Sequence, residues 1–154
     1  MKTPTEILDA ARDRGLTAGL PYAGAVTPDE AYALLQMEPA AKLIDVRTNA
    51  ERDWVGKVAL PEAKQGAVQW TLYPGGTPNP DFLQQLEQQA GKDDVLLFLC
   101  RSGVRSQHAA KLATEHGYRN AYDILEGFEG NKDADGHRKT VGGWCKACLP
   151  WTGA

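Results

Sequence analysis

Apolar residues occur along the chain in two arrangements, short continuous runs and longer stretches with helical spacing. The most apolar run, Val95–Leu99, predicts a central strand buried on both faces of a sheet. Shorter apolar runs at residues 42–47, 66–70 and 121–125 predict three further strands. The chain is therefore expected to contain a sheet whose central strand is fully covered.

Helix boundaries are signalled by capping residues, glycine and proline. Thr3 with Glu6, and Thr27 with Glu30, have the spacing of a capping box. We expect the first of these helices to end at Gly15 and the second to end before Pro39. Asn79 predicts the N-cap of a third helix, which would end at Gly91, and residues 103–116 predict a fourth.

Strands that alternate with helices predict an α/β fold, a parallel sheet with helices on both faces. Near the start of the chain, Gly19, Pro21 and Gly24 interrupt this periodicity. We therefore expect residues 1–24 to form a helical appendage and residues 25–154 to form the main domain. Apolar residues near the end of the chain predict a C-terminal tail packed on this domain.

The composition narrows the class of protein. The chain has 154 residues, 42% hydrophobic and 24% charged, which suits one globular domain with its own core. Its net charge of -3 disfavours nucleic acid or an anionic membrane as the main partner. An odd number of cysteines, Cys100, Cys145 and Cys148, suits a reducing compartment better than a disulfide framework. Charged residues near the start replace the apolar core of a signal peptide, so we expect a cytoplasmic protein.

The strongest indication of chemistry lies where the run Val95–Leu99 passes into the helix predicted at residues 103–116. Cys100 ends the strand, and a tight loop there would turn successive backbone N–H groups toward one point. These donors and the amino end of the helix would stabilise a cysteine thiolate and make it nucleophilic. A small buried cysteine without a chemical role is the alternative. The combination of strand, Gly103, two arginines and helix start favours the reactive thiol.

Two segments resemble the rhodanese family, the sulfurtransferases that carry sulfane sulfur as a cysteine persulfide. Residues 100–106 (CRSGVRS) look like its single-domain active-site loop, and residues 43–47 (LIDVR) look like its strand signature. The resemblance covers about residues 25–151. It implies a rhodanese-like α/β domain with a parallel sheet of about five strands and Cys100 as the persulfide carrier.

The activity implied is that of a thiosulfate sulfurtransferase, and we expect no cofactor and no metal. Sulfur would move from a small anionic donor such as thiosulfate, through the Cys100 persulfide, to cyanide or a thiol, including a protein thiol. Besides Cys100, the implied residues are Arg101, Ser102, Gly103, Val104 and Arg105 for the donor, and Asp45, Arg47 and Ser106 in support. An ordinary structural ion pair is the alternative for Asp45 and Arg47.

Two other functions remain open. A non-catalytic rhodanese-like module would bind a partner or deliver sulfur within a complex, although the presence of Cys100 disfavours it. Related phosphatases and arsenate reductases have a longer loop that holds a tetrahedral oxyanion, whereas four residues, 101–104, separate Cys100 from Arg105 here. The shorter loop favours a persulfide sulfur over a phosphoryl group.

Two weaker signals lie in the tail. Cys145 and Cys148 have the spacing of a redox pair, and plain thiols, a redox pair or a sulfur relay from Cys100 are all considered. A zinc site built on this pair would need four ligands and is disfavoured. Residues 131–136 (NKDADG) start like a calcium-binding loop, but Gly142 replaces its bidentate glutamate, so we expect a solvated turn.

Overall fold

A sheet of five parallel strands forms the centre of the structure, a computed structural model that describes residues 2–153. Residue 1 of the predicted appendage and residue 154 of the predicted main domain lie outside the described residues. In chain order the strands are β1 (Gly24–Val26), β2 (Ala41–Asp45), β3 (Lys57–Val58), β4 (Gln65–Ala67), β5 (Thr71–Leu72), β6 (Thr77–Pro78), β7 (Val95–Leu99), β8 (Ala121–Ile124) and β9 (Trp151–Thr152). The helices are α1 (Pro4–Ala18), α2 (Pro28–Met37), α3 (Asn49–Trp54), α4 (Phe82–Gln89) and α5 (Arg105–Glu115), with a 3₁₀ turn at Glu62–Lys64. None of these helices is long and apolar enough to cross a membrane.

The strand order of the sheet is β1-β8-β7-β2-β4, and every neighbouring pair is parallel. β7 lies at the centre, and all of its residues are buried, as the sequence predicts. The short strands form two antiparallel pairs outside this sheet, β3 with β9 and β5 with β6. The predicted α/β fold with a parallel sheet of about five strands is confirmed.

Two core layers form because successive strand residues point to opposite faces of the sheet. Leu43 and Leu97 belong to the layer that contains α1, α2 and the C-terminal tail, which we call the α1/α2 layer. Ile44 and Phe98 belong to the layer that contains α4 and α5, which we call the α4/α5 layer. Strands that are apolar on both sides therefore recruit helices to both faces.

Helix α1 packs on β1 and α2 and extends further than the sequence predicts. Both predicted capping boxes form, and α2 ends before Pro39 as expected. Gly15 does not end α1, which continues to Ala18 and is terminated by Gly19 with φ 65°. The predicted stop is wrong because Gly15 serves close packing: a Cβ there would lie 2.9 Å from the Ala23 carbonyl oxygen.

The predicted N-cap Asn79 lies outside α4, which starts at Phe82. Asn79 accepts a hydrogen bond of 3.0 Å from the Asp81 N–H and so forms an Asx turn before the helix. Its side-chain oxygen is therefore occupied before helical geometry begins. α4 ends at Gln89 with Ala90 as its C-cap, so Gly91 follows directly, in the position of a terminating glycine.

Strand ends differ from the prediction in three strands, least in β8, which ends at Ile124, one residue before the predicted end. β2 stops at Asp45, so Arg47 follows the strand. The strand predicted at residues 66–70 is β4, which starts one residue earlier and ends at Ala67. Beyond it, the Trp70 N–H still donates to the Val46 carbonyl oxygen, so the chain stays beside β2 without continuing the strand ladder.

The C-terminal tail folds back onto the α1/α2 layer. Trp144 is fully buried in this layer, and its indole N–H donates to the Pro150 carbonyl oxygen at 2.8 Å. Its backbone N–H donates to the Gly127 carbonyl oxygen. These bonds bring the tail next to the segment that follows β8.

Candidate active site

Cys100 directly follows β7, and the loop of residues 100–104 connects that strand to α5. Because the carboxyl ends of parallel strands meet at one edge, this loop lies beside the ends of β2 and β8. Gly103 adopts φ 104°, which directs its backbone N–H at the Cys100 sulfur at 3.1 Å. The cysteine is only 2% exposed. A buried thiol with a backbone donor aimed at it is suited to carry negative charge on sulfur.

Ser106 is the second polar neighbour of the sulfur. It lies in the first turn of α5, is fully buried, and places its Oγ 3.3 Å from the Cys100 Sγ. Its hydroxyl donates to the Asp123 carboxylate on β8. Asp123 was not predicted as a site residue. Its position as the one charged residue in the apolar run 121–125 is the sequence feature that could have indicated it.

The Asp123 carboxyl is the most strongly perturbed acid near the loop. It is 1% exposed, and burial raises its pKa to about 7, with the Ser106 hydrogen bond opposing this only in part. Tyr22 faces it: burial and then the charge of Asp123 raise the pKa of Tyr22 to about 12. A carboxyl that titrates near neutrality therefore lies one hydroxyl away from the candidate nucleophile.

Arg105, at the start of α5, is bound to a protein carboxylate. Its two terminal nitrogens donate to the two oxygens of Glu51 in α3 at 2.6 and 2.9 Å. Burial favours a raised pKa for Glu51, but hydrogen bonds and charge from Arg105, together with Thr48, lower it to about 2. Glu51 was not predicted as a site residue, because nothing in its local sequence indicates a partner in α5.

Arg101 differs from Arg105 in its surroundings. Its side chain is exposed, and it has no ion-pair or side-chain hydrogen-bond partner within residues 2–153. Together with Arg105 it borders a groove of about 340 Å³ beside the loop. Two exposed aromatic rings, Trp54 and Tyr73, also line the groove and pack edge to face at 5.8 Å. The groove thus combines one unpaired cation with aromatic surface.

Asp45 and Arg47 form a buried ion pair behind the loop. The Arg47 Nη2 donates to Asp45 and to the Gly56 carbonyl oxygen, each at 2.8 Å. The guanidinium also stacks on the Phe128 ring at 4.2 Å. Since the Phe128 N–H donates to the Cys100 carbonyl oxygen at 2.8 Å, this pair contacts the loop through one intermediate residue.

The segment after β8 holds the backbone of the loop. Glu129 donates its N–H to the Arg101 carbonyl oxygen at 2.9 Å. Gly127, with φ 67°, lies so close that a Cβ would be 2.6 Å from the Cys100 carbonyl oxygen. The loop is therefore held by backbone hydrogen bonds and close packing as well as by side chains.

Cys145 and Cys148 lie in other surroundings than Cys100. Cys145 packs against the α1/α2 layer, whereas Cys100 belongs to the α4/α5 layer on the other face of the sheet. Burial raises the pKa of Cys145 to about 11, although Lys139 opposes this, and Cys148 is exposed. The two tail thiols are thus not joined to Cys100 in one core cluster.

The turn predicted at residues 131–136 is built around Asp133. Its carboxylate accepts hydrogen bonds from the N–H groups of Asp135 and His137 and from the Thr140 hydroxyl. The side chains of Asp133, Asp135 and His137 lie within 4.8 Å of one another at the surface. These internal hydrogen bonds already account for the position of the carboxylate.

Comparison with known proteins places this geometry in a family. Residues 23–154 match the family model described as STR4 middle domain. The crystal structure of Rv0390 from M. tuberculosis is 42% identical, covers 86% of this chain and 99% of that chain, and superposes with a TM-score of 0.78. The thiosulfate sulfurtransferase GlpE of Haemophilus influenzae is 30% identical over 125 residues, 81% of this chain and 90% of its own length. The chain belongs to the rhodanese-like family.

One relative of this chain is a much longer protein. The rice protein THYLAKOID RHODANESE-LIKE, chloroplastic, is 32% identical over 137 residues, which are 88% of this chain but 26% of the rice protein. A rhodanese-like domain of this kind therefore also occurs as one part of a longer chain. The predicted membership of the rhodanese-like family is confirmed.

Proposed function

We propose that this rhodanese-like protein is a sulfurtransferase that moves sulfane sulfur from an anionic donor such as thiosulfate to a thiol or cyanide through a Cys100 persulfide. The observation that carries the proposal is the Gly103 N–H aimed at the buried Cys100 sulfur at 3.1 Å. Such a donor stabilises a sulfur anion before and after the transfer. The relative named thiosulfate sulfurtransferase supports the same chemistry.

The transfer has two displacement steps. The Cys100 thiolate attacks the outer sulfur of thiosulfate, a new S–S bond forms, and sulfite leaves with the electrons of the old S–S bond. The acceptor then attacks the terminal sulfur of the persulfide, and Cys100 leaves as a thiolate. Each step exchanges one bond to the transferred sulfur for another, so no external oxidant or reductant is needed.

The donor is held mainly by Arg101. Its guanidinium is exposed at the groove, whereas that of Arg105 is already bound to Glu51. A charge-assisted hydrogen bond from Arg101 would hold the sulfonate oxygens of thiosulfate while the outer sulfur reaches Cys100. Arg105 remains near the sulfur and adds positive charge, and its pKa is raised chiefly by the Glu51 hydrogen bond.

The narrow approach to Cys100 favours sulfur over phosphoryl transfer. The residue is 2% exposed beneath a loop of four intervening residues, 101–104. A single terminal sulfur atom needs less room above the thiolate than a tetrahedral phosphoryl group does. The short loop therefore supports a sulfurtransferase over a phosphatase or arsenate reductase.

The experiment that tests the proposal is the intact mass of the protein after incubation with thiosulfate. We expect the mass to increase by one sulfur atom, the increase to be absent in Cys100→Ser, and cyanide to remove it with release of thiocyanate. A non-catalytic module would give no adduct with any sulfur donor. Hydrolysis of an aryl phosphate without a sulfur adduct would indicate a phosphatase instead.

A further inference from the structure

Three buried groups form a continuous chain behind the loop. The Cys100 Sγ lies 3.3 Å from the Ser106 Oγ, and the Ser106 hydroxyl donates to the Asp123 carboxylate. Cys100, Ser106 and Asp123 are each at most 2% exposed. The sulfur and the carboxyl therefore communicate through one hydroxyl and not through bulk solvent.

Ser106 has only one proton to donate, which links the two ends of the chain. When Asp123 is ionised, that proton points at the carboxylate, and Cys100 can approach the Ser106 oxygen only as an S–H donor. When Asp123 is protonated, the acid donates to the Ser106 oxygen, and the Ser106 hydroxyl is then available to donate to a sulfur anion. The hydrogen bonds thus favour one anion in the chain at a time.

Ser106 is the one side chain among the described residues that is hydrogen-bonded to the Asp123 carboxylate. On the neighbouring strands, Ala25 and Phe98 are its register partners. Tyr22 faces it as a phenol that stays neutral, and the Arg105 guanidinium of α5 is bound to Glu51. Two anions on groups this deeply buried would repel each other, which strengthens the linkage.

We propose that Cys100 and Asp123 share one proton through Ser106, so that the Cys100 thiolate forms by transfer of its proton to Asp123 within the protein. The proposal rests on the function proposed above and names the group that holds the proton during sulfur transfer. Asp123 does not touch the sulfur and acts through Ser106, so it is a positioning residue.

The transfer balances without a cofactor. The Cys100 S–H bond breaks as a bond forms from that proton to the Ser106 oxygen, while the Ser106 O–H bond breaks as a bond forms to Asp123. The products are a thiolate and a neutral carboxylic acid, and the net charge is unchanged. When the acceptor has taken the sulfur, the same proton returns to Cys100.

A double-mutant cycle tests whether the two ends are coupled. The four proteins are the wild type, Asp123→Asn, Cys100→Ser and the double variant. The thiolate is followed by its ultraviolet absorbance, taken as the difference between proteins with and without Cys100. Protonated Asp123 is followed by the infrared carbonyl band of its acid, taken as the difference between proteins with Asp123 and those with Asn. Because no sulfur donor is used, the result is independent of whether persulfide forms.

We expect reciprocal shifts. Asp123→Asn should lower the pH at which half of the thiolate has formed by about one pH unit or more, because a neighbouring anion is removed and an amide donor replaces the acid. Cys100→Ser should lower the pH at which the acid band disappears by the same amount, as linkage requires. If neither midpoint responds to the other residue, Asp123 is merely structural and the proposal is wrong.

Ser106→Ala separates the hydrogen-bonded path from simple charge repulsion. If the hydroxyl carries the coupling, the shift caused by Asp123→Asn should fall by at least about half in the Ser106→Ala background. A coupling of undiminished size in that background would overturn the role of Ser106. The intact-mass experiment with thiosulfate reports separately on the sulfurtransferase, so failure of either proposal can be recognised alone.

Discussion

The Arg105 guanidinium and the Glu51 carboxylate face each other through two parallel hydrogen bonds, of 2.6 and 2.9 Å, that join α5 to α3. The arginine that closes the loop is therefore committed to a protein carboxylate. This leaves Arg101 as the cation available at the groove, and it gives the two arginines different expected phenotypes.

Glu51→Gln should destabilise the protein through loss of this pair. Both side chains are less than a quarter exposed, and hydrogen bonds between charged groups of this kind contribute about 1.5 to 3 kcal/mol. Urea unfolding at neutral pH measures the difference. Asp93→Asn is the matched control, because it removes the carboxylate of the exposed Arg119–Asp93 pair, where we expect almost no change.

The destabilisation by Glu51→Gln should also depend on pH. The pKa of Glu51 is lowered in the folded protein from 4.5 to about 2. A lowered carboxyl pKa gives stability that is fully present above the unfolded value and is lost as the pH falls through the folded value. The gap between wild type and variant should therefore close between about pH 4.5 and pH 2, and a gap that persists below this window would contradict the assignment.

Asp123→Asn should have the opposite pH dependence. Burial raises the pKa of Asp123 from 3.8 to about 7, so its favourable contribution is complete below about pH 3.8 and is lost as the pH rises to 7. Above pH 7 we expect the variant to be more stable than the wild type by at most about 4 kcal/mol, and below pH 3.8 to be no more stable. Thermal unfolding across this range measures both limits; a variant that is less stable than the wild type above pH 7 would show that the ionised carboxylate stabilises the fold.

Arg101→Ala should weaken donor binding more than it weakens the chemical step. Loss of one charge-assisted hydrogen bond corresponds to about a tenfold rise in KM for thiosulfate, with kcat changed much less. Steady-state kinetics with cyanide as acceptor separate the two constants. Arg119→Ala removes another exposed arginine, one that does not line the groove, and should leave both constants unchanged. An equal effect of the two variants would mean that the net charge of the protein, and not a contact with Arg101, controls donor binding.

Gly127→Ala should displace the loop, whereas Gly136→Ala should not. Both glycines have positive φ, but a Cβ at Gly136 would meet nothing within 4 Å, and one at Gly127 would clash with the Cys100 carbonyl oxygen. We expect about 1 kcal/mol of destabilisation at Gly136 and about 3 kcal/mol or more at Gly127. Persulfide yield, measured by mass at a temperature where both variants are folded, should fall only for Gly127→Ala.

The features that the sequence predicted well are those with local causes. The run Val95–Leu99 indicates its own burial, and the loop motif at Cys100 lies within seven consecutive residues, so both are readable without a fold. Glu51 and Asp123 were missed because their partners, Arg105 and Ser106, lie 54 and 17 positions away. Such pairs can be recognised only when the arrangement of strands and helices in the fold is known.

The errors at helix ends have a similar origin. Gly15 has the composition of a stop signal, yet its missing side chain is used for contact between α1 and the Ala23 backbone. Asn79 can serve either as an N-cap or as an Asx turn, and the local sequence does not distinguish the two. In both cases tertiary packing decides which of two roles the residue has, because the local sequence is compatible with either.

Burial of Cys100 beneath its loop also has a kinetic consequence. A bulky disulfide reagent can label this sulfur no faster than the loop opens, whereas the exposed Cys148 reacts at the intrinsic rate of the reagent. The labelling rate of Cys100 therefore reports how often the loop opens, and the labelling rate of Cys148 in the same chain serves as its reference. By the same geometry, large oxidants reach the tail thiol first, so Cys100, the proposed nucleophile, is the better protected against irreversible oxidation.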